Sequence, residues 1–244
     1  MIPMTPQQPP SQKHNENCMV CGSELEYLDR PASSTCIYCN KTEEGYFVCP
    51  NGHYVCDPCH SAGALEIIER ACTASASTNP MELALSIMRH PGIPMHGSEH
   101  HGMIAAVLVA SHRNITGKGT EDDIREAIRR GSQVPAGYCG LFGTDAAAIA
   151  TGIAIAVILR ATPLSDVERS RGITMTSRAL AAISNNRGPR CCKRSTMTVL
   201  EVATEYFREV MDVEFGHVPA ARLRCEHSHR NKVCAKVDCR YYPG

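Results

Sequence analysis

Four closely spaced ligand pairs dominate the first quarter of the chain: Cys18-x2-Cys21, Cys36-x2-Cys39, Cys49-x3-His53 and Cys56-x2-Cys59. A two-residue spacer lets both sulfurs of a knuckle face one ion, and eight such ligands close two tetrahedral sites. Zinc is the expected occupant of both, with Cys18, Cys21, Cys36, Cys39, Cys49, His53, Cys56 and Cys59 as ligands. Whether the knuckles pair in sequence or interleave as in cross-brace modules is open at this level, and His60 could stand in for His53. Sites built from four cysteines also hold iron, and a zinc ribbon can bind a partner or RNA. The simplest role is a staple for a segment too small to fold alone.

The segment around these pairs is rich in turn formers, with short β-type runs at Gly45–Val48 and Tyr54–Val55. Residues 1–17 show no basic stretch followed by an apolar one, so no secretory signal is expected there and a disordered tail is. Cytoplasmic, reduced cysteines follow, as metal ligands rather than disulfides. The apolar run 146–159 is too short to span a bilayer. Lys and Arg number 25 against 25 Asp and Glu, which gives no global field for nucleic acid or anionic lipid; RNA binding by the knuckles stays open.

From about residue 61 the pattern turns helical. Asn79 before Pro80 reads as an N-cap, Ser98 as a cap for 98–113, and Thr120 with Asp123 as a capping box ending at Gly131. Gly143-Thr144-Asp145 opens an apolar helix, Ser165 with Glu168 another start, and helices follow near 174–185 and 193–212. With no Trp and only 4 Phe, the core is expected to be built from small residues. The fold expected is mainly α: a zinc module with short β-hairpins (18–60), an all-α helical domain from 61, and an irregular Cys-rich C-terminal segment within 61–244.

A second set of thiols lies in the helical part: Cys139, Cys191, Cys192, Cys225, Cys234 and Cys239. Cys225-x8-Cys234-x4-Cys239 suits a wrapping loop around an iron–sulfur cluster better than a knuckle. A [4Fe-4S] cluster would take these three and one of Cys191 and Cys192, with Cys192 assigned; a third zinc site or plain structural thiols are the alternatives. In GPRCCKR, a helix start beside Arg187, Arg190, Lys193 and Arg194 favours thiolate. The same cations suit a small anionic substrate. Cys139 lies in a loop where Gly140 and Gly143 let a ligand approach the backbone. His100 and His101, with His96 and Glu99, offer imidazoles for acid–base or metal duty. Cys139, Cys191, Cys192, His100 and His101 are thus the candidate catalytic residues, and Arg190, Lys193, Arg194, Gly140 and Gly143 the candidate substrate-binding ones.

The segments EHHGMIAAVLVASHRN, VPAGYCGLFGTDAAAIATGIAIAVIL, ATPLS, NNRGPRCCKRS and CEHSHRNKVCAKVDC, with GHYVCDPCH before them, resemble an uncharacterised prokaryotic family of cysteine-rich proteins. Members of that family are associated with radical-SAM-type enzymes as neighbours or fusions. The resemblance therefore implies an iron–sulfur or sulfur-related setting and names no reaction. Cysteine desulfidases and iron–sulfur serine dehydratases are a looser analogy. The expected function is an iron–sulfur enzyme, a desulfidase, lyase or sulfur transferase, on a small anionic and sulfur-containing substrate. The alternative is an accessory or sensor protein that docks a partner enzyme or RNA.

Overall fold

An apolar helix with no polar face has to be surrounded by protein, and two such helices set the architecture. The computed structural model describes residues 17–60 and 62–244; the tail expected over residues 1–17 lies outside them except for Asn17. Strands β1 (Glu26–Thr35) and β2 (Thr42–Val48) form an antiparallel hairpin, with Glu26 opposite Val48 at the base and Thr35 opposite Thr42 at the tip. Tyr54–Val55, expected as a β run, is irregular and touches the hairpin tip through Ile37 N–H to the Tyr54 carbonyl at 3.0 Å. A single turn, α1 (Asp57–His60), carries the last knuckle.

The helices follow as α2 (Ala64–Ala74), α3 (Pro80–Arg89), α4 (Glu99–Thr116), α5 (Glu121–Ser132), the turn α6 (Tyr138–Leu141), α7 (Ala146–Ile158), α8 (Val167–Ser184) and α9 (Cys192–Met211). Every residue of α4 from His100 to His112 is buried, and α4 touches α2, α3, α5, α7 and α9. The small-residue core shows in how close the backbones come. At Gly131 on α5 a Cβ would sit 2.6 Å from the Gly102 amide nitrogen of α4, and at Gly152 on α7 it would meet the Gly172 carbonyl of α8 at 2.9 Å.

Local signals hold in part. Asn79 Oδ1 accepts from the Met81 and Glu82 amides, and Thr120 with Asp123 forms the reciprocal capping box. Gly131 does not end α5 but lies inside it, where its missing side chain admits α4. Ser98 precedes α4 without a side-chain capping bond. The cap of α7 is Asp145, whose Oδ1 accepts from Ala147 N–H at 2.9 Å. The start at Ser165 and the helix expected near 174–185 are one continuous helix, α8.

After α9 the chain returns across the start of α3, with Gly216 N–H donating to the Thr78 carbonyl at 3.0 Å. It then winds through 3-10 turns at Ala220–Arg222, Ser228–Arg230 and Lys236–Asp238. Arg89 clamps Glu226 with two bonds of 2.7 and 2.6 Å, fastening this segment to the end of α3. Among the described residues no helix is long and apolar enough to cross a membrane.

Candidate metal centres and reaction pocket

The hairpin decides how the knuckles pair. Cys18 and Cys21 precede β1 and Cys49 follows β2, so these lie at its base; Cys36 and Cys39 form its tip. At about 3.3 Å per residue, a strand of seven residues separates base from tip by roughly 20 Å, too far to share an ion. The observed groups are accordingly interleaved. Cys18, Cys21, Cys49 and His53 form one and Cys36, Cys39, Cys56 and Cys59 the other, with ligand atoms inside each group all within 4.8 Å. Cys21 and Cys49 sulfurs are 3.6 Å apart, Cys39 and Cys56 3.5 Å, and His53 Nδ1 lies 3.7 Å from Cys49 Sγ. Ligands on a tetrahedral ion with 2.3 Å bonds stand about 3.8 Å apart, so both groups fit one ion each. His60 takes no part in either group.

Outer contacts favour the thiolate at Cys21, whereas burial pushes Cys18, Cys56 and Cys59 up. Asn51 donates its amide Nδ2–H to Cys21 Sγ and its backbone N–H to Cys49 Sγ, both at 3.4 Å. The Ser23 hydroxyl and then the Asn51 amide pull the Cys21 thiol down to about 5. All 14 cysteines are free thiols.

A second collection of thiols surrounds the start of α9. Cys191, its N-cap, lines one cavity with Cys225, Cys234 and Cys239 of the winding C-terminal segment. The segment is laid down by short backbone bonds: Cys225 N–H to the Tyr241 carbonyl at 2.7 Å and Cys239 N–H to the Lys236 carbonyl at 2.8 Å. Three donors point at the sulfurs, His227 N–H to Cys225 and Lys236 N–H to Cys234 at 3.4 Å, and Asn231 Nδ2–H to Cys191 at 3.6 Å. Of the two neighbours expected to offer the fourth thiol, Cys191 lines this cavity with the other three and Cys192, the one assigned as ligand, does not. Asn231 and His227, which sequence reasoning passed over, sit between Cys225 and Cys234, and that position was their signal.

Cys192 faces a different cavity, which Cys191 also lines. Three helix starts converge on it: α4 with His100 and His101, α7 with Asp145, and α9 with Cys192 and Ser195, while Cys139 and Arg190 complete the wall. Positive ends of three helix dipoles thus meet there. His100 Nδ1 lies 3.2 Å from the Gly97 carbonyl and His101 Nδ1 3.0 Å from the Val134 carbonyl. A carbonyl only accepts, so both rings carry hydrogen on Nδ1 and keep a lone pair on Nε2. Among the described residues His100 Nε2 has no hydrogen-bond partner, in a residue 1% exposed. Burial, aided by Lys193, holds His100 far below the usual imidazole range, and burial also lowers His101. Asp145 Oδ2 accepts from Ser195 Oγ at 3.3 Å, joining α7 to α9.

The expected thiolate at GPRCCKR is corrected for Cys192. Burial pushes that thiol up, outweighing the Gly97 N–H, the Arg190 guanidinium 3.7 Å away and the helix start. Cys139 is likewise pushed up by burial and by Asp145. Arg194 is occupied: its guanidinium donates to the Arg187, Gly188 and Pro189 carbonyls at 2.6, 3.5 and 2.8 Å. Lys193 is fully buried, and burial followed by Arg230 brings its ammonium down to about 8. Neither Gly140 nor Gly143 lines the cavity; both shape the exposed loop beside Cys139.

Fold and sites define a helical, cysteine-rich protein with two Cys/His groups that could each hold a metal ion and four further thiols that line one cavity beside a second, smaller one. The chain belongs to the family of unknown function DUF5714, which matches residues 68–242. That span holds every residue of the two α9 cavities and none of the eight knuckle ligands. Searches of curated proteins and of solved structures find no significant match.

Proposed function

We propose that this chain is an iron–sulfur enzyme acting on a small anionic, sulfur-containing substrate, as a desulfidase, lyase or sulfur transferase, with two zinc ions stapling its N-terminal module. The observation that carries the reading is the meeting of Cys191, Cys225, Cys234 and Cys239 around one cavity, with Cys191 shared by a second cavity built from three helix starts. Among the described residues only the knuckle groups draw their ligand atoms within 4.8 Å of one another. Thiols that line one cavity without three of them drawing within 4.8 Å suit a cluster, where each sulfur binds a different iron, better than a single ion. Donors on three of the four sulfurs add to the fit.

A cluster held there by Cys191, Cys225, Cys234 and Cys239 would supply electron transfer, and would act as a Lewis acid only at an iron that one of the four thiolates left open. The chain's own groups do the rest. Arg190 and the helix starts bind a carboxylate or thiolate of the substrate. His100 and His101, neutral and oriented through Nδ1, accept a proton at Nε2. Cys139 and Cys192, held as neutral thiols by burial, donate a proton.

An accessory or sensor role, docking a radical-SAM-type partner, is the second reading. It draws on Leu141 and Phe142, 81% and 68% exposed in the loop beside Cys139. Anaerobic purification with metal and acid-labile sulfide analysis tests the first reading. It expects about two zinc, four iron and four sulfide per chain, iron lost in Cys191→Ala, and iron kept but turnover of small thiol and hydroxy acids lost in Cys192→Ala. Zinc alone, with no sulfide, overturns it; a full cluster with unchanged turnover in Cys192→Ala removes Cys192 from the reaction.

A further inference from the structure

Lys193 is the second residue of α9, and none of its surface reaches solvent. Its Nζ has no hydrogen-bond partner among the described residues. An ammonium excluded from water and left unpaired is among the least tolerable groups in a protein interior; it either gives up its proton or is compensated by an anion. The strongest charge influences on it are Arg230, which repels it, and then the thiols Cys192, Cys191 and Cys225. The neighbouring imidazoles of His100 and His227 offer nothing in return, since both are held neutral by burial with Lys193 contributing. Its leading attractive influences are thus three sulfur groups.

Resting on the iron–sulfur reading above, we propose that Lys193 is the built-in counter-charge of the centre held by Cys191, Cys225, Cys234 and Cys239, and that it raises the reduction potential of that centre. Four thiolates give such a cluster a net negative charge that grows on reduction, so a fixed cation beside it favours the reduced form. Its low-dielectric setting leaves that attraction little screened. Lys193 is thereby a positioning and tuning residue; nothing in its placement brings it to the substrate.

The test compares full-length wild type with Lys193→Met and Lys193→Arg, purified anaerobically, by iron and sulfide content and by a redox titration followed by electron paramagnetic resonance. Lys193→Met should keep a cluster whose ratio of reduced to oxidised form, read at the wild-type midpoint, is about tenfold lower, or 59 mV for one electron. Lys193→Arg, which keeps the charge, should stay near wild type. If the Met variant fails to assemble its cluster while the Arg variant assembles it, the charge is required and the proposal stands. An unchanged midpoint in Lys193→Met overturns it, as does equal cluster loss in both variants, which would mark a packing role. Wild-type protein without iron and sulfide overturns the iron–sulfur reading itself, and is seen before any variant is compared.

Discussion

His90 donates its Nε2–H to the carbonyl oxygen of Cys59 at 3.0 Å, while its Nδ1 accepts the Gly92 N–H at 3.0 Å. The second bond fixes the tautomer that the first one needs. His90 also packs its ring edge-on to the fully buried Tyr38, with centroids 4.8 Å apart. A knuckle of the second candidate metal group is thus bolted to the end of α3 through the carbonyl of Cys59. His90→Ala would strand that carbonyl and open a gap beside Tyr38. We expect a loss of about 2–4 kcal/mol, read by denaturant unfolding of metal-loaded protein. A loss below about 0.5 kcal/mol would mean the module and the helices are energetically independent.

Interleaved knuckles make opposite predictions from sequential ones for two double variants. Cys21→Ala with Cys49→Ala removes two ligands from one group and leaves the Cys36, Cys39, Cys56, Cys59 group whole, so one zinc should survive a chelator challenge. Cys21→Ala with Cys39→Ala cuts one ligand from each group, and both ions should become chelator-labile. Zinc per chain after the challenge checks this; sequential pairing would exchange the two outcomes.

Much of this was written in local spacing. Knuckles, the Asn79 cap, the Thr120–Asp123 box and the all-apolar 146–159 run each depend on a few adjacent residues. Knuckle pairing was not, because it depends on where the hairpin puts its tip, although strand length would have excluded the sequential scheme. The choice between Cys191 and Cys192 was hidden for another reason. Cys191 is the extended N-cap of α9 and lines both cavities, while Cys192, the first helical residue, lines only the second, and that difference depends on where α9 begins. Ser98 and Gly131 misled because a capping residue type or a glycine signals a helix end only where packing leaves it that role.

Close approach of α4 and α5 makes Gly131 a sensitive probe of the core. A methyl there would press on the Gly102 amide nitrogen and Cα and the His101 carbonyl carbon, all backbone atoms within 2.7 Å. Rotamer changes cannot relieve such a clash; the helices have to move apart. Gly131→Ala should therefore destabilise by about 2–4 kcal/mol, although alanine is the better helix former. Because His101 is displaced by the same motion, the enzyme reading proposed above expects the variant to lose turnover more steeply than stability. Circular dichroism melts alongside the substrate assay would show whether the two separate.

Acid should weaken the helical core before it reaches ordinary carboxylates. His112, deep on α4 with its ring centroid 6.3 Å from that of Phe207, is held below the usual imidazole value by burial and then by Lys118. Its folded value lies under the unfolded one of about 6.5. The unfolded chain therefore binds a proton first as pH drops. The stability that neutral His112 contributes is present in full above about 6.5 and is lost as pH falls from there through the folded value. His112→Leu removes the titrating group, so its melting temperature should fall less steeply than that of wild type between about pH 7 and 5. Parallel slopes for the two proteins across that range would show that His112 takes up its proton without opening the fold.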